Sequence, residues 1–137
     1  MALSVVDTDI LWSSATSLSV TNATEVVSDP FTVDPTTYDM SVTVTADNSN
    51  GAPSAGDTAV FRVRWSTDGG TTYDTAEHAQ YIGTLDTVAA NTPGEDPARR
   101  TFNIGRCGGK LKIACICAQA ATHAITISAK IEEQRAA

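Results

Sequence analysis

The chain has 137 residues, a length that suits one domain, with 42% apolar side chains and a formal net charge of −7. That acidic balance argues against non-specific nucleic-acid binding, because affinity for phosphate backbones comes mainly from Lys and Arg. No stretch reaches the roughly 20 apolar residues of a membrane span, and no basic start leads into an apolar run, so neither a membrane segment nor a secretion signal is expected.

Val, Ile, Thr, Ser and Ala dominate, while Leu, Glu, Lys and Gln are scarce. These residues suit a pleated surface, and the prior is all-β. Residues 1–16 mix short apolar pieces with Asp7 and Asp9 without a clean period and read as an arm or edge segment. Short strand-like runs follow at Ser17–Thr21, Glu25–Val27 and Phe31–Val33. Pro30 and Pro35 cannot donate to a ladder, which places this part along a sheet edge.

From Tyr38 the alternation is regular. Tyr38, Met40, Val42, Val44 and Ala46 fall on one face, and Asp39, Ser41, Thr43 and Thr45 on the other, which is the period of a half-buried strand. Residues 47–57 are rich in Asn, Gly, Pro and Ser and read as a loop. Ala59, Phe61, Val63 and Trp65 then form a second inward row, with Arg62 and Arg64 opposite. Asp68-Gly69-Gly70 is turn chemistry. A shorter apolar run covers 79–83, and 85–98 carries Asn91, Pro93, Gly94 and Pro97, as expected of a long surface loop. Arg99–Ile104 resumes a strand. Leu111, Ile113, Cys115 and Cys117 line one face of the next, and Ile125, Ile127, Ala129 and Ile131 one face of the last.

About eight strands at roughly ten-residue spacing predict an antiparallel β-sandwich, jelly-roll-like in wiring. The expected organisation is an arm or edge over 1–16, a sandwich over 17–132 and a polar tail over 133–137. Charge is distributed unevenly along it. There is no Lys or Arg from Met1 to Phe61, where Asp7, Asp9, Glu25, Asp29, Asp34, Asp39, Asp47 and Asp57 all lie. Between Pro97 and Ile131 the pattern reverses to Arg99, Arg100, Arg106, Lys110, Lys112 and Lys130 with no acid. Either neighbouring strands compensate each other within the chain, or acidic and basic surfaces meet between molecules.

Reactive chemistry is thin. Cys107, Cys115 and Cys117 are an odd number crowded near the C-terminus, which is no disulfide framework and suits a reducing compartment. Cys115 and Cys117 share a strand face. They could begin a zinc site only if Cys107 and a distant His78 or His123 completed it, so buried small hydrophobes are the better reading. Neither histidine has a recognisable nucleophile partner, and Glu95-Asp96 reads as solvated. No catalytic residue, metal or cofactor is expected. Trp12, outside the periodic region, reads as a docking anchor, and Arg99, Arg100, Glu95 and Asp96 complete the candidate contact residues. A Trp12 or Trp65 ring stacking on sugar would make the chain a carbohydrate-binding module instead. An unrecognised hydrolase is the remotest reading.

The segment Ser66-Thr67-Asp68-Gly69-Gly70-Thr71-Thr72-Tyr73 resembles the Asp-box hairpin of sialidases, with Tyr73 in place of the motif's Trp. That resemblance implies a structural role for Ser66, Asp68, Gly70 and Tyr73: the Asp caps its own turn, and the ring packs beneath it. Taken whole, the chain is similar to head decoration (auxiliary or cement) proteins of tailed bacteriophages. The similarity rests on the acidic Thr/Ser/Val/Ala-rich opening, the strand and turn from Val60 to Tyr73, and the ending in which Lys110-Leu111-Lys112-Ile113 precedes the strand Ile125 to Ile131. It implies a non-enzymatic virion protein on the capsid surface, partnered by the major capsid protein and by its own copies as a dimer or trimer. It implies no nucleic-acid or membrane partner. A tail, baseplate or receptor-binding component of the virion is the neighbouring alternative.

Overall fold

The structure is a computed structural model that describes residues 3–21, 24–47, 57–86, 98–118 and 124–136. Among these residues the chain forms β1 (Leu3–Asp9), β2 (Leu18–Val20), β3 (Glu25–Val27), β4 (Phe31–Thr32), β5 (Thr37–Asp47), β6 (Thr58–Ser66), β7 (Gln80–Asp86), β8 (Ala98–Asn103), β9 (Lys110–Ala118) and β10 (Ile125–Ala136), with one 3-10 turn at Ala76–His78. Every ladder is antiparallel. A first sheet runs β1-β10-β5-β8, with β2 also on β10; a second runs β3-β9-β6-β7, with β4 also on β9.

The first four strands are the pieces of two interrupted strands. β1 and β2 follow one another along the same edge of β10, and β3 and β4 along the same edge of β9. Counted this way there are eight strand positions, four in each sheet, and chain neighbours lie in opposite sheets except for the β6–β7 hairpin, which is jelly-roll wiring. Each interruption has a local cause. Between β1 and β2, Ser13 and Ser14 take positive φ (49° and 69°), closing a tight turn in which Trp12 and Ala15 exchange backbone hydrogen bonds. Two successive left-handed residues without glycine are costly, and the Asp29 carboxylate offsets this by accepting from both turn amides (3.2 and 2.9 Å). Between β3 and β4, Pro30 cannot donate, and the Ser28 hydroxyl accepts from the Ile113 amide (2.9 Å) in place of a backbone carbonyl.

The inward rows pack into one core. Val42, Val44, Phe61, Val63, Leu111, Ile113, Ile125, Ile127 and Ile131 are fully buried, each contributing about 1.5–3 kcal/mol by leaving water. Cys115 and Cys117 continue the β9 row as buried thiols with their sulfurs 3.7 Å apart. One flank of the sandwich is closed by Phe102 of β8 lying on Gly83 of β7. A Cβ at Gly83 would stand 2.1 Å from the Phe102 ring, so only glycine admits the ring there.

Three expectations need correction. Trp12 is 1% exposed and belongs to the core, because the Ser13–Ser14 turn folds its ring under the sheet rather than leaving it on an arm. Tyr38 points outward and Thr37 inward. The cause is a bulge: Gln134 pairs with Asp39 but Arg135 with Thr37, so Tyr38 is the extra residue and the inward row starts at Met40. Residues 133–136 are strand rather than tail, since β10 keeps pairing with β1 and β5 almost to its end.

Candidate functional site

The sandwich turns two chemically different faces to its surroundings. Period two that buries 125, 127, 129 and 131 of β10 necessarily sends Thr126, Ser128, Lys130 and Glu132 out. Register aligns them with the outward residues of the neighbouring strands. One row reads Asn103, Ser41, Glu132, Asp7; the next reads Thr101, Thr43, Lys130, Asp9; a third reads Arg99, Thr45, Ser128. Side-chain hydrogen bonds tie neighbouring strands together across this face. Thr43 and Thr101 are 2.7 Å apart, Thr45 bonds Ser128, and Asn103 donates to Asp39 (3.0 Å). Such cross-strand pairs hold the outer side chains to a rigid platform.

A cleft of about 610 Å³ opens on this face. Its hydroxyls come from Thr16, Ser17, Thr43, Thr45, Thr101 and Ser128, its negative charges from Asp7, Asp9 and Glu132, and its positive charges from Arg99 and Lys130. Lys130 and Asp9 make a loose, half-exposed pair at 3.8 Å, worth little by itself. Asp7 stands directly opposite Glu132, like charge against like. Among the described residues, no histidine, cysteine or aromatic ring lines the cleft. Among the described residues, no group of three or more His, Cys, Asp or Glu is placed to hold a metal ion, and no helix is long and apolar enough to cross a membrane.

The second sheet is basic outside. Arg62, Arg64, Lys110 and Lys112 occupy outward positions of β6 and β9, with Glu25 of β3 paired to Arg64. Part of the uneven charge is therefore compensated within the chain, as Arg64–Glu25 shows, and part is left displayed: an acid-weighted first sheet backs onto a basic second one.

The candidate contact residues that the structure describes do not gather in one place. Arg99 and Arg100 are exposed neighbours on β8; Arg99 lines the cleft, while Arg100 lies over the Phe102 ring, 4.8 Å from its centre. Glu95, Asp96 and His123 lie outside the described residues. Trp12 and Trp65 are 1% and 5% exposed, so neither offers a ring to a sugar.

The turn after β6 is organised by Asp68. Its carboxylate accepts from the Thr72 amide (2.9 Å), the Thr72 hydroxyl and the Ser66 hydroxyl (2.8 Å), and Ser66 in turn accepts from the Gly70 amide (2.9 Å). These donors, Thr72 foremost, pull the Asp68 carboxyl down to about 2. Gly70 has φ 95°, and a Cβ there would meet Lys110 and the Tyr73 hydroxyl. Lys112 sits over the Tyr73 ring, 4.5 Å from its centre. Burial, and secondarily the Asp68 charge, pushes the Tyr73 phenol up.

One polar centre escaped the sequence. Glu133 is fully buried at the end of the sandwich and accepts from the Asp34 amide (2.9 Å), the Thr37 hydroxyl (2.6 Å) and Arg135 (2.6 Å). Burial pushes its carboxyl up, but the Thr37, Arg135 and Asp34 donors outweigh that and leave it below the ordinary range. A signal existed: 133 continues the inward row 125, 127, 129, 131.

Against known proteins, no family model and no curated sequence matches the chain. Solved structures do. The VP2 subviral particle of infectious bursal disease virus superposes at a TM-score of 0.56 and 10% identity, over 97% of this chain and 32% of that one. The chain thus spans about a third of the capsid protein, and the likeness is one of fold. Looser likenesses reach the CBM36-1 domain of a multidomain xylanase from the hindgut metagenome of Trinervitermes trinervoides (TM-score 0.46, 15% identity, 96% and 99% covered) and the SPBc2 prophage-derived protein YomS (0.40, 11%, 98% and 96%).

Proposed function

We propose that the protein is a non-enzymatic virion structural protein of the decoration type, docking on an assembled phage capsid and stabilising it. The observation that carries the reading is the outer face of the first sheet. It is a rigid, hydroxyl-rich platform with charges of both signs, and among the described residues its cleft holds neither a nucleophile–base pair nor a stacking ring. Such a face suits a polar, register-specific protein contact, in which charge selects the partner and its orientation. The sandwich fold shared with a viral capsid protein supports the setting, as does the sequence resemblance to phage head decoration proteins. A protein that binds only the assembled shell stabilises that shell by mass action.

The test is sedimentation of purified protein with mature heads of the phage that encodes it, followed by heating. The reading expects co-sedimentation at saturable stoichiometry and a higher temperature of genome release. Protein that stays in the supernatant, or label found only on tails, would remove the head assignment.

A further inference from the structure

The two edges of the first sheet are unlike and complementary. At one edge β1 pairs only with β10, and its outward residues are Leu3, Val5, Asp7 and Asp9, with Leu3 and Val5 63% and 61% exposed. At the other edge β8 pairs, among the described residues, only with β5, and it carries Arg99 and Arg100. Among the described residues, each edge leaves a row of backbone N–H and C=O groups without a strand partner, a template for adding another strand.

We infer that copies of this chain join head to tail, β1 of one copy pairing with β8 of the next, so that the first sheet continues from subunit to subunit. Strand direction permits it. β1, β10, β5 and β8 alternate in direction, so a β8–β1 junction between copies in the same orientation is antiparallel, like every ladder within the chain. Facing also permits it, and selects one register. Outward residues must meet outward residues, because a shift of one residue would turn each side chain to the wrong face. Using all six residues of β8 under that condition sets Asp7 opposite Arg99 of the second copy, Val5 opposite its Thr101, and Leu3 opposite its Asn103. Asp7 would then have a cation on one side, offsetting the like charge of Glu132 that it faces on the other.

A two-fold β1–β1 pairing, by contrast, brings two copies of an acidic edge together. Head-to-tail contacts are heterologous and either close into a ring or run on as a filament. This inference specifies the self-partner within the virion reading but stands apart from it. Self-assembly by a chain that ignores phage heads keeps this inference and removes that reading; head binding by a strictly monomeric chain does the reverse.

The direct test is a cysteine pair placed in the inferred register, Val5→Cys with Thr101→Cys, in a Cys107→Ser background that removes the exposed native thiol. Under mild oxidation the double variant is expected to give a ladder of covalent multimers, or one closed ring, while each single variant stays uncross-linked. In the otherwise native chain, Arg99→Glu should weaken self-association at least tenfold by light scattering, and Asp7→Lys added to it should restore it. Circular dichroism checks that each variant keeps its strands, and the native chain's own concentration dependence stands if one does not. Dimers formed by Val5→Cys alone, association indifferent to Arg99→Glu, or a native chain monomeric at every concentration would overturn the inference.

Discussion

Glu133 keeps its charge in the core because three donors converge on it, and this makes it the residue through which acid should act on the fold. Its carboxyl titrates lower folded than unfolded, so the unfolded chain binds the extra proton and stability rises with pH across that interval. The contribution is complete above the ordinary Glu value of about 4.3 and fades as pH falls through the lower folded value. Glu133→Gln should therefore be less stable than the parent near neutrality in thermal unfolding, with a shallower loss as pH falls below the ordinary Glu value. Parallel curves for the two proteins would show that the acid limb has another source. Trp12 makes a simpler prediction. Fully buried, it should cost about 3–5 kcal/mol on replacement by Ala, and calorimetry would register that loss without any partner present. The sequence could not reveal this, because burial of Trp12 depends on two serines adopting left-handed φ against their own preference, held there by Asp29.

At the level of elements, the long strands were readable and the short ones were not. β5, β6, β9 and β10 carry alternating apolar rows that survive folding almost unchanged, since nine to twelve residues of period two leave little choice of face. β1 was obscure because its exposed row holds Leu3 and Val5 while its half-buried row holds Val6 and Thr8, so apolar residues fall on both faces and no period shows. Tyr38 was misread because the bulge that makes it an extra residue of β5 shows only in the pairing with β10, not in the strand's own alternation. Two element-scale tests follow from the contacts. Gly83→Ala should displace Phe102 and loosen the β7–β8 flank at a cost of about 1–3 kcal/mol, seen as a lowered Tm. Asp68→Ala should free the turn after β6, with the Gly70 and Thr72 amides exchanging hydrogen at least tenfold faster while the β6 amides stay protected.

For the whole molecule, the fold class was legible but the face proposed for docking was not. Individual residues of that face could be named, Arg99 among them, yet sequence alone could not bring Asp7, Thr43, Lys130 and Arg99 together, because they come from four strands set side by side only by jelly-roll wiring. The uneven charge along the chain became a difference between two faces for the same reason. The account stands on the first sheet's outer face being the one that meets the capsid. Binding of two variants to mature heads tests this most directly: Thr43→Arg in the middle of that face, and Val60→Arg at an outward position of the second sheet. The account predicts at least a tenfold loss of binding for Thr43→Arg and parental binding for Val60→Arg. Equal binding by both, or loss confined to Val60→Arg, would contradict it.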